Sequence, residues 1–195
     1  MNAVPSKPVM PLATKLLLFF WSPLGILPLV LVMSEVHVPQ PFSYGWHKAL
    51  HVLGAAVMVG DLFTQIVWIS GANRTRNAAV IRAAQRTLSV TDLLFLGPGM
   101  FLVMANGALL AQAWGGVYPW SWLVGALLLF GVWGTLSVPL TWIQLAQSRV
   151  VQTGSDEEVV AAMSKPSRAL ALMAMLMVLI PAVIVVLMVV KPRLW

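Results

Sequence analysis

The sequence predicts an all-α fold, a polytopic transmembrane helical bundle of five spanning helices. Three observations predict it. Of 195 residues, 59% are hydrophobic and 9% charged, where a soluble domain carries about 25% charged residues. The uncharged stretches reach the roughly 20 apolar residues that a spanning helix requires. Lys and Arg gather toward the ends of those stretches, and no strand-like alternation marks a β-barrel. With no cysteine, the chain has no disulfide, iron–sulfur cluster or thiol nucleophile.

The first apolar run covers residues 12–33, with Lys15 near its start and Pro23 and Pro28 inside. It exceeds the usual signal-peptide core of about 7–15 residues and no Ala-x-Ala-like site follows, so a retained, kinked first helix is expected. A polar loop, 35–44, leads to the second helix, 46–69. In residues 71–87, Ala, Val and Ile alternate with Arg74, Arg76, Arg82 and Arg86 at roughly helical spacing, which predicts a short amphipathic helix on the membrane surface. The third helix spans 88–114, with a kink expected at Gly97-Pro98-Gly99, and a tight loop, 115–120, precedes the fourth, 121–147. Ser155 and Glu158 have capping-box spacing, predicting a short helix over 159–163. The last helix covers 168–190 and ends at Lys191-Pro192. Residues 1–45 thus form an N-terminal helix with its outer loop, and 46–195 a four-helix membrane core.

A cytoplasmic N-terminus places nine Lys and Arg residues on that side and three (Lys48, Lys191, Arg193) on the other. This positive-inside bias predicts an N-in, C-out topology. The net charge of +6 raises nucleic acid as a partner. Its placement at helix ends points to the lipid bilayer and its headgroups instead, and no nucleic-acid partner is expected.

The second helix is the most informative. His47, His51, Gly54, Met58, Asp61 and Gln65 recur every three or four residues, along one helical stripe. Polar groups facing lipid are costly, so the stripe faces the interior. The third helix carries Asp92, Gly99 and Asn106, each seven apart, and the fourth carries Ser137, Thr141 and Gln144. Asp61, about 12 Å into the membrane, is a candidate proton or ion site, with Asp92 and Asn106 as further candidates; the alternative is structural hydrogen bonding. Asp92, placed near a helix start, is expected to serve the helix dipole. His47 and His51 are candidate metal ligands, with His37 or Glu35 joining from the loop. His51 is also a candidate haem ligand. No histidine follows it, so a sixth ligand falls to methionine or is absent; the 11 methionines are expected to serve mainly as packing. Gly54, Ala55 and Gly60 are expected to let helices approach closely. No nucleotide, hydrolase or zincin motif is present.

Lys48-Ala49-Leu50-His51-Val52-Leu53-Gly54, with Gly60 beyond it, resembles the K-x-x-H-x-x-G opening of an uncharacterised family of bacterial integral membrane proteins. Asp92, Pro98, the stretch 107–111 and the ending 187–192 extend the resemblance over about residues 46–192. That family is remotely similar to membrane proteins of the copper-resistance D and protoporphyrinogen-oxidase J types. The resemblance implies a bacterial inner-membrane protein and, through the latter type, haem b at His51. Three functions follow as expectations: a non-catalytic accessory subunit of a membrane assembly, a haem b redox protein using His51, and a proton- or ion-coupled carrier using Asp61.

Overall fold

The structure, a computed structural model, describes residues 30, 34, 36–164 and 167–195. The expected first helix, and Glu35, lie outside these residues apart from Val30. The described elements are α1 (Tyr44–Arg74), α2 (Ala78–Thr91), a π-helical turn (Asp92–Leu96), α3 (Gly97–Ala113), α4 (Ser121–Thr153), α5 (Asp156–Ser164) and α6 (Arg168–Val190). Among the described residues, four stretches are long and apolar enough to cross a membrane: α1, the continuous run Ala78–Ala113, α4 and α6. Their outward faces stay apolar, with Val67, Leu128, Trp142 and Val189 exposed. Such a surface requires lipid as its solvent.

The amphipathic segment and the third span are one helix, contrary to expectation. Asn77 caps it, its Oδ1 accepting from the N–H groups of Ala79 and Val80 (2.9 and 3.3 Å). Pro98 has no N–H to offer and its ring crowds the carbonyl one turn back. The helix absorbs this by widening into the π turn, where Gly97 N–H bonds to the Asp92 carbonyl. Asp92 therefore sits inside a continuous helix, with no free N-terminus to stabilise, and the dipole reading falls.

Two more prolines shape the second half. Pro139 lies inside the unbroken α4, and the hydroxyls beside it turn to backbone: Ser137 donates to the Gly134 carbonyl (2.6 Å) and Thr141 to the Ser137 carbonyl (2.8 Å). Gln144 is exposed. The expected polar stripe on α4 thus serves its own helix. Pro181 in α6 leaves the Met177 carbonyl without its usual donor, and the fully buried Trp133 of α4 supplies one, Nε1 to O at 2.9 Å. Trp133→Phe keeps the packing and removes this bond. Membrane hydrogen bonds average about 0.6 kcal/mol and reach about 1.7; with the carbonyl already orphaned by proline, the upper end is expected. Denaturant unfolding in mixed micelles measures it, and a loss near zero would mean that another donor replaces the indole.

Met58 and Leu62 of α1, Met100 and Met104 of α3, Trp133 of α4 and Met177, Val178 and Ile180 of α6 form the central core. Met104 and Met177 are packing residues there. A second cluster, Ala78, Ile81, Val151, Val159 and Met163, closes one end. Arg82 clamps it, donating to the Val151 and Gly154 carbonyls (3.0 and 2.8 Å) and pairing with Asp156. The capping box forms as expected, Ser155 N–H to Glu158 Oε2 (2.7 Å) and Glu158 N–H to Ser155 Oγ (3.3 Å), and starts α5 at Asp156. At the other end the Lys191 ammonium lies 4.9 Å over Trp114, and Trp114 donates to the Tyr44 hydroxyl.

Candidate functional site: a polar ladder between α1 and α3

α1 and α3 run antiparallel, and the stripes read from sequence meet face to face in one register. His47 pairs with Asn106, Gly54 packs on Gly99, and Asp61 is joined to Asp92 through Gln65. The spacing of seven on both helices keeps the seam aligned, as in a coiled coil.

In the first rung His47 is 1% exposed and its Nδ1 lies 2.8 Å from Asn106 Oδ1. Asn106 Nδ2 donates to the Leu102 carbonyl (2.9 Å), which fixes the amide with its oxygen toward the imidazole. Nδ1 therefore carries the proton and Nε2 the lone pair. Nε2 is buried with no hydrogen-bond partner. One turn on, His51 Nδ1 lies 2.9 Å from the Val103 carbonyl. A carbonyl only accepts, so this ring holds the same tautomer. A Cβ on Gly107 would stand 3.0 Å from His51 Cε1; glycine leaves the ring its place.

Both imidazoles are thus anchored through Nδ1, which in the neutral ring leaves the lone pair on Nε2, the arrangement found in histidines that ligate metal. For haem b the chain supplies one anchored axial nitrogen, His51 Nε2. Among the described residues it supplies no second histidine across from it. His37 is exposed in the segment before α1, and no three of His, Cys, Asp and Glu come together among the described residues.

The middle rung is steric. A Cβ on Gly54 would stand 2.7 Å from both the Gly99 carbonyl oxygen and Leu102 Cβ, and one on Gly99 would meet the Gly54 carbonyl at 3.0 Å. Nothing lies within 4 Å of a Cβ on Gly60. Of the two glycines expected at a packing face, only Gly54 is at one.

In the last rung Asp61 is 8% exposed. Gln65 Nε2 donates one hydrogen to Asp61 Oδ2 and the other to Asp92 Oδ1, both at 2.6 Å. The ion pair found among the described residues is Arg82–Asp156, so neither ladder carboxylate has a basic partner among them. α1 runs five residues past its expected end, to Arg74, which puts Asp61 about 20 Å from that end. Asp61 and Asp92 therefore come together while Asn106, expected with them, stands with His47 about 21 Å away along the helix. Gln65 belonged to the sequence stripe, but its bridging role was not read; its i+4 spacing from Asp61 was the available signal.

Comparison with curated proteins returned no match, and comparison with solved structures returned none. A family model described as "Predicted integral membrane protein (DUF2269)" matches residues 46–192, covering the ladder and nearly all of the four apolar helices, and the chain belongs to that family.

Proposed function

We propose that this protein handles protons or a hard monovalent cation across the bacterial inner membrane, with Asp61–Gln65–Asp92 as its working group. One observation carries the reading: two carboxylates share the amide of Gln65 within an apolar bundle, and neither is in an ion pair among the described residues. Structural glue does not require this pairing, since two like charges at low dielectric repel strongly. One positive charge, a bound proton or a cation, balances most of that cost. The carboxylate oxygens and Gln65 Oε1 are the ligand type that hard cations favour. Ionisable groups at such depth mark ion pathways as a rule.

The topology we adopt is N-in and C-out, with residues 12–33 as a fifth span. Arg74, Arg76, Arg82, Arg86, Arg149 and Arg168 then face the cytoplasm, and Lys48, Lys191 and Arg193 the outside.

Reconstitution into liposomes with an imposed proton or sodium gradient tests the function. Wild type should dissipate one of the two. Asp61→Asn and Asp92→Asn should each slow that flux by about 100-fold or more, the scale of a lost proton-transfer group, with thermal unfolding unchanged. Flux that survives both substitutions would sink the reading and leave the accessory-subunit role.

A further inference from the structure

The acidic rung does not account for His47. A buried polar atom with no partner is uncommon in a folded protein and calls for an explanation. Here the atom is an imidazole nitrogen in a ring 1% exposed, whose other nitrogen is held by a side chain that is itself fixed. His51, part-buried, repeats the Nδ1 anchoring one turn along the same face of α1, on the Val103 carbonyl. Residues four apart on a helix have Cβ atoms about 6 Å apart, the i,i+4 spacing that paired zinc-binding histidines use. In both rings the Nδ1 edge is turned to α3. The two nitrogens of an imidazole point to nearly opposite sides, so both Nε2 lone pairs are turned from that helix.

We propose that His47 and His51 form an imidazole pair that binds one transition-metal ion of the Zn2+ class through their Nε2 atoms, near the Tyr44 end of α1. Imidazole nitrogen suits zinc, copper and nickel, and disfavours Mg2+ and Ca2+. The Nδ1 bonds to Asn106 and Val103 are the outer-shell contacts that orient such ligands. With no third His, Cys, Asp or Glu joining the pair among the described residues, the remaining positions fall to water or other exchangeable ligands, as in open rather than structural sites. Access needs little rearrangement. The ring over His47 is Phe42, with centroids 5.8 Å apart, and Phe42 is exposed on the segment before α1.

Zn2+ alone, titrated into the full chain in detergent and counted after equilibrium dialysis, tests the site. One ion per chain is expected, with more than about 10-fold loss of affinity in His47→Phe and in His51→Phe. His37→Ala, and the Asp61→Asn/Asp92→Asn pair, should bind as wild type does, which separates this site from the acidic rung. Where a histidine variant fails to fold, 15N spectra of the wild-type imidazoles replace it. Zn2+ should move both Nε2 resonances while each Nδ1 keeps its protonated signature. No ion bound by wild type, binding retained without both histidines, or Nε2 resonances unmoved would overturn the proposal. So would a Soret band in the purified protein, which would give His51 to haem.

Discussion

Gly54→Val should leave almost no folded bundle. The first added carbon would stand 2.7 Å from a backbone oxygen and from Leu102 Cβ, and neither atom is a flexible side-chain end that can swing aside. Overpacking of a core costs about 1–3 kcal/mol, occasionally more. Gly54→Ala belongs near the top of that range and valine, with two further carbons, beyond it. Gly60 is the control from the same helix. Its Cβ direction is open, so Gly60→Ala removes only glycine's helix penalty and should stabilise by up to about 1 kcal/mol. Unfolding in mixed micelles compares the three. Equal effects at 54 and 60 would mean that α1 and α3 are not packed backbone to backbone at Gly54.

Gln65→Leu should be the most damaging polar substitution. One bond within α1 and one between helices are lost, together about 1–2 kcal/mol at average membrane strength. The larger cost comes from what stays behind, since an unsatisfied buried polar group costs about 1–3 kcal/mol and a charged one more. A total on the order of 3 kcal/mol is expected, and the excess over the bonds should vanish when Asp61 and Asp92 are replaced along with Gln65. A double-mutant cycle isolates that coupling. If Gln65→Leu costs under about 0.5 kcal/mol, the carboxylates are solvated and the amide is incidental to them.

Much of this seam was legible in the sequence because a helix stripe is a matter of spacing alone. His47, Gly54, Met58 and Asp61 are buried as the stripe requires, and Asp92, Gly99 and Asn106 face them. The last helix has the bounds expected of it, Arg168–Val190, ending before Lys191-Pro192. What escaped were features that depend on a missing N–H. Pro98 reads as a kink, and a π turn absorbs it; Asp92 looks like a helix start because the basic segment 71–87 reads as separate from the span beginning at 88, whereas the two are one helix. Pro181 frees a carbonyl, but nothing local says that Trp133, on another helix, will answer it. The α4 hydroxyls have the spacing of a stripe and still bond backward to their own turns, a choice that spacing does not encode. The pairing of Asn106 with His47 rather than Asp61 needed the antiparallel register, which depends on how the chain turns between the helices.

The three rungs differ in size and chemistry, and that difference keys the two helices together. Sliding α1 by seven residues one way would bring the His47 ring onto Gly99, into a gap that admits no Cβ. Sliding it the other way would set Asn106 against Gly54 and Asp61 against Gly99. A slide by a whole rung is therefore blocked in both directions, which holds the pair in this register about the contact at Gly54. Deleting one residue between two rungs would swing the next by about 100°, dismantling the ladder although every side chain in it was kept.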